Sequence, residues 1–279
     1  LTIRGGTAPS RAALATRPKA VKKAPVQAVT HAGPEASLAT LPVQTHWPGD
    51  AGPLITWPVV ITRPHGSAPE NVNSYNAGVY RTQVLDSSRL IMRWLPHRGG
   101  AAHHRSWVSQ GEKMPVAVVL GADPATLLSA ALPLPETVSE LTFAGALGGA
   151  RPRLVPCKSV PLMVPADAEI VLEGWVSPNE TAPEGPFGDH TGYYNPAEPF
   201  PVMQISAVTH RENPLYLSTY TGRPPDEPAI IGQVFNRLAL PTIQGQIPEI
   251  RDLWLPPAAC SYRIAIVSID KRYPGQARR

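Results

Sequence analysis

Gly78-Val79-Tyr80-Arg81-Thr82-Gln83-Val84-Leu85, then Asp86-Ser87-Ser88, then Arg89-Leu90-Ile91-Met92-Arg93-Trp94-Leu95, is the stretch that decides what kind of fold this chain makes. Both arms are rich in β-branched, aromatic and long apolar side chains. The three polar residues between them are a turn signal, so together they predict a β-hairpin. In an antiparallel pair the two position numbers have a constant sum; with a three-residue loop, Leu85 faces Arg89 and Arg81 faces Arg93. Two arginines opposed on one face repel each other, which predicts an anion beside them. That anion is either a phosphate or carboxylate ligand, or an internal Asp or Glu that one arginine meets. The same pairing brings Asn76 near His97 and Arg98, where an amide oxygen and an imidazole can ligate a divalent cation once a carboxylate joins them, or simply share a hydrogen bond. Arg98-Gly99-Gly100 adds a cation followed by backbone flexible enough to approach a ligand closely.

Outward from the hairpin, strand-like segments recur. Leu54 to Thr62 has Pro58 at an edge or bulge, and Pro115 to Gly121, Leu154 to Lys158, Ala168 to Trp175, Phe200 to His210, Leu215 to Tyr220 and Tyr262 to Asp270 follow. Glu169 and Glu173 share one face, read as solvent-exposed, and His103 and His104 read as surface residues. Three short helices fit between: Ala125 to Ala131, capped by Asp123 with Pro124 at its first position; Thr137 to Leu147, stopped by Gly148-Gly149; and Glu227 to Leu238, capped by Asp226. Glu140 reads as a surface acid complementing its helix dipole. The class is therefore α+β, mainly antiparallel β, a barrel or curved sheet rather than βαβ units.

One further stretch carries the ionisable groups: Glu184-Gly185-Pro186-Phe187-Gly188-Asp189-His190-Thr191-Gly192-Tyr193-Tyr194. Three glycines and a proline exclude a regular helix or central strand, so the backbone is a shaped loop. Such loops are often plain turns with a capping or solvated carboxylate, and they are also where chemistry tends to sit.

Composition narrows the classes. The 279 residues are 43% hydrophobic and 16% charged, enough for a real core, and 34 prolines with 22 glycines favour short extended segments over long helices. Net charge is +4, from 25 Lys and Arg against 21 Asp and Glu. Six of the cations, Arg4, Arg11, Arg17, Lys19, Lys22 and Lys23, precede the first acid, Glu35, leaving 19 basic against 21 acidic residues in the remainder. The body is nearly neutral and lacks the interleaved aromatic and basic pattern of a nucleic-acid binder. Cys157 and Cys260 are expected as buried free thiols. No run of about eighteen apolar residues is present to span a membrane. Residues 1–50 read as an extension or linker, 51–260 as a central domain, and 261–279 as the start of a further, truncated one.

Asn76 to Arg81, Leu90 to Leu95, His97 to Gly100, Leu120 to Pro124, Ser139-Glu140, Glu184 to Tyr194 and Thr221 to Pro228 together resemble the UbiD-type decarboxylases, over about residues 50 to 275 and in consistent order. The branch resembled most acts on 4-hydroxy-3-polyprenylbenzoate in ubiquinone biosynthesis. The resemblance implies a flavin-reductase-like split barrel that binds prenylated flavin mononucleotide (FMN). It implies Asn76, His97 and Glu140 as ligands of a divalent metal, usually manganese, with a potassium ion as a further candidate. Val79, Tyr80, Arg81, Arg93, Trp94, Leu95, Arg98 and Gly99 match cofactor-contacting positions. Arg81, Glu184 and Asp189 match the catalytic trio, with Asp189 as proton donor, raised in pKa if dry and beside another acid, and His190 as a relay. It further implies an aromatic carboxylic acid as substrate, homo-oligomers, and a cytoplasmic place with peripheral contact at the inner face of the cell membrane. The family also has a segment before this region and an α/β domain after it, of which this chain carries neither in full. Two alternatives stand beside this reading: a flavin-binding fragment without turnover, and a family member acting on another aromatic or acrylic acid.

Overall fold

The computed structural model describes residues 17–132, 134–135, 138–259 and 264–278; Arg4, Arg11, Thr137, Cys260 and Tyr262 lie outside them. Two compact units are present. The first comprises Leu1–Thr45, Ala51–Gly185 and Ala197–Ser218, and the second His46–Asp50, Pro186–Pro196 and Thr219–Arg279.

The first unit carries β1 (Lys19–Ala20), β2 (Val29–Ala32), β3 (Leu54–Ile55), β4 (Val59–Thr62), β5 (Asn76–Val79), β6 (Thr82–Val84), β7 (Arg89–Met92), β8 (Met114–Leu120), β9 (Arg153–Pro156), β10 (Met163–Pro165), β11 (Ile170–Glu184) and β12 (Glu198–His210). Eight of these run in the order β3-β6-β7-β12-β11-β8-β4-β5, with β2 added on β12. The ladders of this sheet are antiparallel.

β4 and β8 are apolar at nearly every position because both of their faces are covered. Val60, Val116, Val118 and Leu120 enter one core, and Val59, Ile61, Ala117 and Val119 the other. The first core also takes Ile55 from β3 and Met92 from β7, so strands from both ends of the path share one interior. The sheet is therefore curled into a half-barrel around that core. The second core is closed by the small β1-β9-β10 sheet through Leu154, Val155 and Val164.

The hairpin forms in the expected register, Thr82↔Met92, Gln83↔Ile91 and Val84↔Leu90, with Leu85 N–H donating to the Arg89 carbonyl at 3.0 Å. Its first arm is shorter than expected. Asn76–Val79 pairs with β4 instead, so the chain changes neighbours at Tyr80–Arg81. Pro58 likewise separates β3 from β4 at different places in the path.

Several expectations need correction. The segment read as a linker contributes β1 and β2 and buries Val26 and Leu38; its pieces are only two to four residues long, broken by short turns at Pro25 and Pro34, and too short to show a period. Gly99–Val108 is a helix rather than a flexible link, and Leu215 to Tyr220 forms no strand. Glu173 is fully buried, accepting the N–H groups of Lys158 (2.9 Å) and Ser159 (2.6 Å) and the Ser159 hydroxyl (2.8 Å). His103 is half-buried against Thr62. The Asp123 cap and its helix, Pro124–Ala131, form as expected, and Glu140–Gly148 ends at Gly149 with φ 69°.

In the second unit the helix capped by Asp226 runs Glu227–Gln246, past the expected Leu238 and through Pro241. It is followed by a hairpin of β13 (Ile250–Trp254) and β14 (Ile266–Ile269). Among the described residues no helix is long and apolar enough to cross a membrane.

Candidate active site

In the first unit, the end of β11 meets the hairpin. Arg81 Nε donates to Glu184 Oε1 at 2.8 Å and its Nη2 to Oε2 at 3.2 Å, a two-point fork. Arg93 Nη1 donates to the same Oε2 at 2.6 Å. The Glu184 side chain has 0% exposure, whereas Arg81 and Arg93 keep 17% and 19%. A buried carboxylate is costly unless charge-compensated, and here two guanidiniums compensate it. The anion expected between the arginines is thus internal, and both arginines meet it. Gln83, two residues from Arg81 and on the same face, accepts the N–H of Gly185 through Oε1 at 2.9 Å. It fixes the chain where φ reaches 86° just after Glu184. Sequence reasoning passed over Gln83, although its two-residue offset from Arg81 was a usable signal.

Of the three expected metal ligands, Asn76 lies in β5 and Glu140 bonds to it. Glu140 is half-buried rather than a surface acid: Oε2 accepts the Ala77 N–H at 3.1 Å, and burial, opposed by that bond, pushes its pKa up. Asn76 shares a 3.3 Å contact with the Tyr80 hydroxyl, which also accepts the Gly100 N–H at 3.3 Å. A Cβ on Gly99 would fall 1.9 Å from Asn76 Oδ1, so any larger residue there would have to displace that amide. His97, two residues earlier, is exposed. An amide oxygen, a carboxylate and an imidazole form a donor set that fits a hard divalent ion such as manganese. The helix Gly99–Val108 points its first N–H groups towards this region, a favourable end for a phosphate. Of the other expected cofactor positions, Val79 and Leu95 are half-buried, Trp94 is buried and Arg98 is exposed.

Asp189 belongs to the second unit. Its loop closes on itself through Asp189 N–H to the Tyr193 carbonyl (3.0 Å), Gly192 N–H to the Asp189 carbonyl (2.9 Å) and Asn195 N–H to the Phe187 carbonyl (3.1 Å). Asp50 pins it, with Oδ1 accepting the Gly188 N–H and Oδ2 the Trp47 N–H, each at 2.9 Å. Asp189 Oδ1 lies 2.5 Å from His190 Nδ1 and accepts the His190 N–H at 2.8 Å. Its immediate neighbour is the His190 imidazole. Glu227, not singled out from sequence, accepts the Thr219 hydroxyl at 3.4 Å. Burial pushes its pKa up, Asp226 adds to this, and the field of His190 opposes it. The unit thus holds a carboxyl–imidazole pair and a second, partly buried acid.

Comparison with known proteins gives a consistent picture. The family model described as the 3-octaprenyl-4-hydroxybenzoate carboxy-lyase Rift-related domain, UbiD, matches residues 19–224, and that of the corresponding C-terminal domain matches 229–279. Among solved structures, the UbiD-class enzyme HmfF from Pelotomaculum thermopropionicum in complex with FMN is 32% identical, with TM-score 0.83 over 96% of this chain and 60% of that one. An evolved dimeric form of the same enzyme, in complex with prFMN, is also 32% identical, with TM-score 0.83 over 96% and 62%. Vanillic acid decarboxylase from Sedimentibacter hydroxybenzoicus, in closed form, is 26% identical, with TM-score 0.85 over 96% and 58%. The chain spans about three fifths of the length of these proteins.

Proposed function

The chain belongs to the UbiD family of carboxy-lyases, and on that premise we propose that it removes CO2 from an aromatic carboxylic acid without net oxidation, using prenylated FMN and a divalent metal. The observation that carries this reading is the buried two-point contact between Arg81 and Glu184. Loss of CO2 from an aromatic ring leaves an aryl carbanion that no side chain can accommodate, and the modified flavin, when bound, supplies the electrophilic sink. Arg81 grips the substrate carboxylate, with Glu184 fixing the direction of its guanidinium. Asp189 delivers the proton that replaces CO2, and His190, against its Oδ1, returns one to it. Asn76, His97 and Glu140 would hold the metal. Val79, Tyr80, Arg93, Trp94, Leu95, Arg98 and Gly99 would line the cofactor. On the same premise the curled sheet is a flavin-reductase-like split barrel.

The finer reading is 4-hydroxy-3-polyprenylbenzoate as substrate and 2-polyprenylphenol as product, with homo-oligomeric assembly and peripheral contact with a membrane that holds the prenylated acid. A second reading is a flavin-binding polypeptide without turnover. Loading the whole chain with prenylated FMN and Mn2+, then measuring labelled CO2 from prenylated and unprenylated hydroxybenzoates, separates these. Release is expected from the prenylated acid, and Asp189→Asn is expected to abolish it while leaving the cofactor's absorption in place. Cofactor absorption with no CO2 from any acid selects the second reading.

A further inference from the structure

Arg93 is placed for more than contact with a cofactor. Continuing the β6–β7 register by one step sets Arg93 opposite Arg81, and continuing the β7–β12 register by two sets it opposite Phe200. Phe200 in turn pairs with Ala182 of β11, two residues from Glu184 and on its face. Arg81, Arg93, Phe200 and the end of β11 therefore form one row across four neighbouring strands. Strands β6 and β11 lie three intervals apart, roughly 14 Å at ordinary sheet spacing. For Glu184 to reach Arg81, its carboxylate must cross over Arg93.

The contacts agree with that placement. Arg93 Nη1 to Glu184 Oε2 is the shortest of the three bonds, 2.6 Å against 2.8 and 3.2 Å. The guanidinium carbon of Arg93 sits 5.3 Å from the centre of the Phe200 ring, itself buried at 7% exposure, which holds the planar group in one orientation. Glu184 Oε2 receives both arginines, and at 0% exposure its side chain has no solvent to replace a donor that is lost.

Resting on the function proposed above, we infer that Arg93 is a positioning residue. By holding Oε2 it fixes the torsion of the Glu184 carboxylate, and through the fork it fixes the plane in which Arg81 meets the substrate carboxylate. Phe200 is the outer support of that relay. A role through Glu184 differs from direct contact with the cofactor in one measurable way: it vanishes when Glu184 can no longer transmit it.

Benzoate binding to the FMN-loaded whole chain, followed by calorimetry, reads this directly, with FMN affinity measured in parallel. Arg93→Met is expected to weaken benzoate about tenfold in the parent chain and less than about twofold in a Glu184→Gln background. Arg93→Lys, which keeps the charge without the planar fork, should recover part of the loss. Phe200→Leu loosens Arg93 without removing a buried charge and should give an intermediate loss, so the inference stays testable if Arg93→Met fails to fold. An equal loss in both backgrounds, or no loss with either Arg93→Met or Phe200→Leu, overturns it. A parent chain that binds FMN but not benzoate sinks the proposed function itself, and the inference with it.

Discussion

His103 sits in the helix Gly99–Val108 with Nδ1 2.9 Å from Thr62 Oγ1, and burial pushes its pKa down to about 4 from an ordinary 6.5, against a smaller opposing effect from Thr62. The imidazole is therefore neutral in the folded chain at pH values where the unfolded chain is protonated. Between those two pKa values the unfolded state binds the extra proton, so stability is fully present above about pH 6.5 and is lost as pH falls towards 4. The full contribution is on the order of 3 kcal/mol. Urea unfolding at pH 7 and pH 4.5 is expected to show that drop on top of the general acid effect, and His103→Gln to remove it; an unchanged drop in the variant places the titration elsewhere. Single residues such as this one were hard to read. A histidine on a Gly-Gly-Ala-Ala-His-His run gives no sign of burial when the helix itself is not foreseen. Glu184 was legible as a candidate, but its two partners lie 103 and 91 residues away, and no local pattern encodes such a meeting.

Elements were legible where one period governed them. The hairpin register followed from strand alternation and a polar turn, and the Asp123-Pro124 helix start from capping chemistry, because both are decided within a few residues. What failed was decided by tertiary context: β5 leaves the hairpin to pair with β4, and Gly99-Gly100 opens a helix despite the low helix propensity of glycine. The reason for the second is visible in the packing. A Cβ on Gly99 would meet Asn76 Oδ1 at 1.9 Å, and one on Gly100 would meet Trp94 at 2.7 Å, so the glycines let this helix end lie against β5 and the Trp94 ring. Gly99→Ala should therefore push the Asn76 amide aside while the gain in helix propensity, up to about 1 kcal/mol, offsets part of the cost to stability. Mn2+ affinity, followed by the loss of the free-ion paramagnetic signal, is expected to fall at least about tenfold, a coupling of ordinary size between touching residues. Unaltered affinity removes Asn76 from the proposed metal site.

At the scale of the whole molecule, the two units differ in how their hydrogen bonds are protected. In the first, all seven residues of β8 are buried, and the strand is paired on both sides, with β11 and β4. β11 is likewise held between β8 and β12. In the second, among the described residues β13 and β14 have only each other as ladder partners, and Trp254, Ile266 and Val267 are 52%, 51% and 43% exposed. An isolated pair of strands is marginal in water, because too little apolar surface is removed from solvent to offset the ordering of the backbone. Opening β8 requires disrupting both cores of the first unit, whereas opening the β13–β14 ladder exposes little that is not already exposed. Local openings of low cost govern exchange wherever they exist. Amide hydrogen exchange should then find Val116 to Leu120 and Ile170 to Val176 exchanging only through global unfolding. The amides of Leu253 and Val267 should exchange at least about a hundredfold faster, with a denaturant dependence near zero. Equal protection in β8 and β14 contradicts this and shows that the second unit is stabilised to the same degree as the first.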